Sequence, residues 1–268
     1  MRTLTFLLLV ACQPRERITI DGSSTLAPLA ELLTESYARA RPDHEVVVRT
    51  SGSAAGLARL CRGEVDIAAS ARAMNEDEAR GCKIKTRAIA IATDAIVMAA
   101  HQNAPVRNPV LTLAQLRRLW EPGSPVRTWR DLRPDWPATP LRLYGAGEFS
   151  GTYETFTRVI VGKERESRSD VVTSEDDGVL VYGIANDTAA IGYLGLSAYR
   201  RSKSKLQIVA IDFGDGPVLP TAGTPYAPLN RTLYLYVDDA RAQEEPLQSV
   251  LEHFITNAPA ARALLGYP

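Results

Sequence analysis

Four short Ser/Gly-rich stretches hold most of the residues in this chain that could do chemistry: Asp21-Gly22-Ser23-Ser24-Thr25, Ser51-Gly52-Ser53-Ala54-Ala55-Gly56, Ser70-Ala71-Arg72 and Ser150-Gly151-Thr152. Three of them stand where an apolar, strand-like run gives way to a helical pattern. A helix start carries free N–H groups and a partial positive charge, so it attracts anions. Small hydroxyl residues there add donors, and glycine lets the backbone come close. One such start is an ordinary N-cap, and capping alone would account for Ser24, Thr25 or Thr152 taken singly. Several in one chain point to a cradle for a tetrahedral oxyanion held mainly by neutral donors. Arg72, directly after a buried strand, tips the balance, because an arginine at a strand end can grip an oxyanion with two bonds. A structural salt bridge is its other available role.

Catalysis has little support. His44, His101 and His253 are scattered, and none lies near a candidate nucleophile. Gly22-Ser23-Ser24-Thr25-Leu26 lacks the second glycine of a nucleophile elbow. Ser202 and Lys205 match a Ser-x-x-Lys spacing only within a charged turn. Gly162-Lys163 is followed by Glu164, which rules out a phosphate-binding loop of the Gly-Lys-Ser/Thr kind. No Cys/His cluster has metal-ligand spacing, and no cofactor is expected.

The elements that must position these residues can be read from periodicity. A strand over 17–21 leads into the first glycine loop, and a helix over 26–40 has apolar residues at Leu26, Leu29, Ala30, Leu33 and Tyr37. A β-branched run at 46–49, a helix from Gly52 to about Arg62 and a buried strand over 65–69 come next. That order implies a parallel sheet with ligand at the carboxyl ends of its strands. Residues 88–100 form a long apolar stretch interrupted by Asp94, suited to crossing between two lobes. A helix is expected over 113–120, and the Pro/Trp-rich 122–140 reads as an ordered loop. Residues 141–161 then repeat the plan of strand, glycine loop and helix. Later come a helix start at 176–183, strands over 190–194, 206–211 and 233–237, and a closing helical region over 246–265.

Composition fits a soluble protein of one large or two medium domains: 268 residues, 45% hydrophobic, with a formal net charge of zero. No basic face suggests nucleic acid as a partner. At the N-terminus, Met1-Arg2, an apolar run over 4–10 and Ala11-Cys12 read as an export signal. The stretch Leu9-Val10-Ala11-Cys12 resembles the lipobox of bacterial lipoproteins, in which the cysteine is lipidated; a buried first strand is the alternative. Cys61 and Cys82 then remain, free to form one bridge in an oxidising compartment or to stay as buried thiols. A bridge would close a loop of roughly 20 residues and stabilise by about 3 kcal/mol.

Signature-like stretches run through most of the chain: Asp21-Gly22-Ser23-Ser24-Thr25, Gly63-Glu64-Val65-Asp66-Ile67, Ser150-Gly151-Thr152 and Ile191-Gly192-Tyr193. Together they resemble the Pst-type periplasmic phosphate-binding proteins, the receptors of phosphate ABC importers. Trp136-Pro137, Leu143-Tyr144-Gly145, Ile160-Val161-Gly162-Lys163 and Ser174-Glu175-Asp176-Asp177 are similar to a bacterial subgroup of them. That subgroup has cysteines matching Cys61 and Cys82, which implies the bridge. The resemblance implies an α/β, two-lobed periplasmic-binding-protein fold, type II-like, with mixed sheets and a ligand cleft between the lobes. Residues 1–12 would be the signal and lipidated cysteine, 17–92 the first part of lobe 1, 93–204 lobe 2 with the crossing strand, and 205–268 the remainder of lobe 1.

Carried over position by position, the phosphate shell would comprise Thr25, the Leu26 amide, Ser53, Ser150, Gly151 and Thr152, with Ser70 and Arg72 lining the same cleft. Ala71 stands where such receptors usually carry a hydroxyl or an acid. Ala146 replaces an arginine found in many members, and Glu148 and Phe149 also depart from the subgroup. Arg168 would supply the missing charge, and Glu148 is the nearest acceptor for the proton of monohydrogen phosphate. The resemblance thus implies a non-enzymatic, monomeric, lipid-anchored receptor in the periplasm or at the cell surface. It would pass inorganic phosphate to the permease and ATPase subunits of an importer. A receptor for sulfate or molybdate and a signalling or surface lipoprotein of the same fold are the rival readings.

Overall fold

The computed structural model describes residues 16–202, 205–220 and 226–268. The export stretch and Cys12 lie outside the described residues.

Parallel pairing builds the first three strands of the first lobe, as the order of elements requires, and a later strand joins them antiparallel. β1 (Glu16–Gly22) turns through Ser23–Thr25 into α1 (Ala27–Ala40), whose Leu29, Ala30, Leu33 and Tyr37 lie on one buried face. β2 (His44–Thr50), α2 (Ser53–Cys61) and β3 (Ile67–Ser70) come after it, and β1 pairs in parallel with both β2 and β3. Every residue of β3 is buried, as expected for an inner parallel strand covered on both faces. The short α3 (Glu76–Gly81) leads to β4 (Thr86–His101).

β4 is continuous and belongs to both lobes. Residues 86–95 pair antiparallel with β11 (Asn230–Asp238) of the first sheet. From Ile96 onward it pairs instead with β8 (Ala190–Gly195), and from Met98 also with β9 (Leu206–Asp212). Asp94 sits where the partners change. Between these strands the chain forms β5 (Val110–Thr112), α4 (Leu113–Trp120) and α5 (Trp129–Leu132). Next come β6 (Arg142–Ala146), α6 (Gly151–Phe156) with a π-helical turn (Thr157–Val161), β7 (Val172–Ser174) and α7 (Asp177–Ala185). α8 (Leu196–Ser202) comes after β8, β10 (Pro217–Val218) folds back on β9, and α9 (Leu247–Leu265) closes the chain. The Pro/Trp-rich segment is ordered as expected, with Trp129 and Trp136 buried edge to face at 5.7 Å.

Each lobe has a large core of its own, and the first has in addition a small cluster of Leu57, Leu60, Val65, Ala68 and Tyr236. Ile18, Ile20, Leu33 and Tyr37 pack with Leu235, Val250 and Phe254, while Trp120, Phe156, Leu180 and Tyr193 fill the second. One boundary needs correction: the return to the first lobe, expected at residue 205, comes at β11. β9 hydrogen-bonds to the distal part of β4, and Leu206, Val209, Ile211, Tyr226 and Leu229 bury themselves in the second core. The two lobes are thus joined through the paired strands β4 and β11. Cys61, at the end of α2, is disulfide-bonded to Cys82 at the end of α3, with Cα atoms 4.9 Å apart. Among the described residues no helix is long and apolar enough to cross a membrane.

Candidate functional site

Thr25 arrives from the turn before α1 and Thr152 from the first turn of α6, so each lobe contributes one buried hydroxyl to the same place. Arg231 joins them. Its Nη1 donates to Thr152 Oγ1 at 2.6 Å and its Nη2 to Thr25 Oγ1 at 3.2 Å. The guanidinium is on the second residue of β11, directly opposite Asp94 on β4, and Nη2 also donates to Asp94 Oδ2 at 3.0 Å. At 7% exposure, Arg231 keeps one buried N–H, at Nε, with no partner among the described residues.

A second carboxylate completes this junction. Asp177, at the start of α7, accepts from Thr25 Oγ1 at 3.4 Å. Burial pushes its pKa up to about 6; Arg231 pulls against that shift and Asp94 adds to it. Asp94 is held in turn by the Ser197 amide, which donates to Oδ1 at 3.1 Å. The close approach depends on Gly195. A Cβ there would lie 2.7 Å from Asp94 Oδ2 and 3.3 Å from both Arg231 Nη2 and Asp177 Oδ2. Tyr267, from the last turn of the chain, donates its hydroxyl to the Thr25 carbonyl and fixes that turn from behind.

Ser53 and Gly151 make the other crossing between lobes. A Cβ on Gly151 would meet Ser53 Oγ at 2.8 Å, so glycine is what allows α6 to approach α2. The Ala54 amide donates to the Phe149 carbonyl at 3.2 Å across the same seam. Ser53 Oγ accepts from the Ala71 amide at 3.0 Å, and the Ser150 hydroxyl caps α6 by accepting from the Thr152 amide at 3.1 Å. Thr25, Ser53, Ser150, Gly151 and Thr152 are therefore brought together at one inter-lobe seam.

Four expected residues are occupied otherwise. The Leu26 amide donates to the Ser23 carbonyl at 3.1 Å, closing the turn rather than facing the seam. Ser70 spends its hydroxyl on the Arg72 carbonyl at 2.8 Å. Arg72 donates through Nε to Glu154 and through both terminal nitrogens to Glu78, so its charge is already balanced. Arg168 pairs with Asp170 at 2.5 and 2.8 Å and donates to the Leu119 and Val126 carbonyls at 3.0 Å each. It lines a separate cavity of about 490 Å³ together with Glu148 and Glu175, in which none of Thr25, Ser53 or Thr152 takes part. Glu148 is exposed there.

Asp94, Asp177 and Arg231 were not singled out as site residues by sequence. Asp94 did carry a signal, a charge interrupting an otherwise apolar strand. Arg231 carried none, because its neighbours at the site lie 79 to 206 residues away. Among the described residues no group of three His, Cys, Asp or Glu side chains could hold a metal ion.

Residues 10–267 match the PBP superfamily domain. Protein SphX of Synechocystis is 34% identical over 278 aligned positions, which span 98% of this chain and 82% of that protein. The phosphate-binding protein PstS of Staphylococcus saprophyticus is 28% identical over 234 positions, spanning 84% of this chain and 70% of its own length. Among solved structures, a possible phosphate binding protein from Planctomyces limnophilus shares 30% identity at a TM-score of 0.68, covering 94% of this chain and 92% of that one. An ABC-type phosphate transport receptor from Vibrio cholerae shares the fold at a TM-score of 0.70 and 21% identity, covering 93% and 98%.

Proposed function

The chain belongs to the PBP superfamily and, within it, to the Pst-type group, and on that basis we propose that it captures inorganic phosphate between its lobes and delivers it to an ABC importer. It is a binding protein rather than an enzyme. The observation that carries the reading is Arg231, a buried guanidinium that ties a hydroxyl from each lobe together and retains an unpartnered N–H. An anion entering here would meet Thr25, Ser53, Ser150, Gly151 and Thr152 as neutral donors, with Arg231 supplying the charge. Lobe closure would shift an existing open–closed equilibrium, and the closed shape is what a permease would recognise.

The two buried carboxylates favour phosphate over sulfate. Monohydrogen phosphate has a proton to donate, whereas sulfate at neutral pH has none. Asp177 stands beside the Thr25 hydroxyl and Asp94 beside Arg231, so an acceptor is at hand although position 71 is alanine. A fully deprotonated dianion would meet only repulsion from them. Glu148, exposed in the other cavity, is not needed for this role.

Export, lipidation at Cys12, a place in the periplasm or at the cell surface, and a monomeric state belong to the same proposal, supported by the N-terminal pattern and the family. Titration calorimetry on protein stripped of ligand, with phosphate, arsenate, sulfate and molybdate, tests it. Phosphate and arsenate should bind and sulfate should not. Preference for sulfate or molybdate would reassign the ligand. No binding of any oxyanion at millimolar concentration would leave a signalling or surface lipoprotein as the better account.

A further inference from the structure

Beside the hydroxyl junction, a row of four alternating charges crosses from one lobe to the other. Glu78 on α3 accepts from Arg72 with both oxygens, at 2.6 and 2.7 Å. Arg72, just after β3, donates through Nε to Glu154 on α6 of the second lobe. The other oxygen of Glu154 accepts from Arg165 at 2.6 Å. Arg72 and Glu154 side chains are 12% and 3% exposed, so this pair is shielded from solvent in the closed molecule. Opening the cleft must separate Arg72 from Glu154, while Glu78 and Arg165 stay with their own lobes. The pair thus exists only when the lobes are together.

The placing of Glu78 has its own cause. Glu78 completes a capping box at the start of α3, its Oε2 accepting from the Asn75 amide at 2.9 Å and its own amide donating to Asn75 Oδ1 at 2.8 Å. α3 is six residues long and buries none of them, so packing does little to hold it. Its far end is covalently tied to α2 by the bridge from Cys82 to Cys61.

We propose that Arg72 is a positioning residue that latches the closed cleft through Glu154, and that the Cys61–Cys82 bridge, by fixing α3 and Glu78, sets how fast the cleft reopens. This rests on the receptor reading above. An interaction made only after closure acts on release and leaves association nearly untouched, whereas an anion ligand would change selectivity as well.

Phosphate release and association are measured by stopped-flow fluorescence on the whole protein. Arg72→Met and Glu154→Gln should each speed release about tenfold, and the double variant no further, with association changed less than about twofold. Removing the bridge with Cys61→Ser and Cys82→Ser together should speed release about threefold, and should add nothing in the Arg72→Met background. Glu78→Gln leaves the bridge intact and should do the same, which covers the case in which the cysteine variant folds poorly. Additive effects, or a changed phosphate-to-sulfate ratio in Arg72→Met alone, would overturn the latch. Small-angle scattering of ligand-free protein gives a phosphate-independent readout, in which Arg72→Met should enlarge the radius of gyration. A wild type that binds no phosphate while this shift persists defeats the receptor reading only. Phosphate binding with unchanged release in every variant defeats the latch only.

Discussion

Arg72 and Arg231 both reach across the seam between the lobes, and they differ in how completely they are paired. Arg72 has a carboxylate on either side, from Glu78 and Glu154, and a backbone carbonyl besides, with donors from all three nitrogens engaged. Arg231 has one hydrogen-bonded carboxylate, two neutral hydroxyls and a buried N–H left over. Placing an anion beside Arg72 would require it to displace a carboxylate already in position. Beside Arg231 an anion need only compete with hydroxyls, and those are themselves able to turn and donate to it. A buried positive charge is available to a ligand to the extent that the protein has left it incompletely matched.

The sharpest way to break this comparison is to remove each guanidinium. Arg231→Met should cost phosphate affinity at least about a hundredfold by calorimetry, against about tenfold for Arg72→Met, because it also strands Asp94 as a buried, unpaired charge. Arg231→Lys guards against misfolding and should still bind more weakly than wild type, since an ammonium cannot reach Thr25, Thr152 and Asp94 in one plane. The reverse ranking would return the anion to Arg72.

Thr152→Val comes next, with an expected loss of about ten- to hundredfold in affinity, the effect of losing one hydrogen bond to a charged group. The near-isosteric change keeps the packing of α6 but leaves Arg231 Nη1 without its buried acceptor, so the unfolding midpoint of ligand-free protein should fall as well.

The third test uses the titration of Asp177. Burial raises its pKa to about 6 from the ordinary value of 3.8, so the folded state favours the protonated form. Between about pH 4 and 6 the fold therefore holds more protons at this site than the unfolded chain does. Stability from this group is full at low pH and is lost as pH rises through 6. Lowering the pH from 7 to 5 should raise the thermal midpoint of ligand-free protein, and Asp177→Asn should flatten that response. An unchanged slope in the variant would assign the pH dependence elsewhere.

Ser70→Ala should do least, changing affinity by no more than about threefold, because the hydroxyl already serves the Arg72 carbonyl. A larger loss would mean that the turn after β3 takes part in binding directly.

Along the chain, local information was legible wherever period and punctuation agreed. β1, α1, β2 and α2 lie where the alternation of β-branched and helical spacing puts them, and the long apolar run over 88–100 is indeed the strand shared by both lobes. Asp170 is two residues from Arg168, and a local ion pair of this kind is legible in the sequence. α3 was harder to see, since six residues, four of them charged and none buried, leave no hydrophobic period to read.

The amino-acid sequence by itself determined the element order, the parallel pairing of β1 with β2 and β3, the placing of hydroxyls and glycine at helix starts, and the family. Each of these depends on residues close together in the chain, where steric and hydrogen-bond preferences act without help from the fold. Only the tertiary structure decided which arginine serves the seam. Glu154 lies 82 residues from Arg72, and Thr25 lies 206 residues from Arg231. Charges so far apart in sequence are matched by the way β4 and β11 bring the lobes together, and a buried charge takes its role from the partners it meets there.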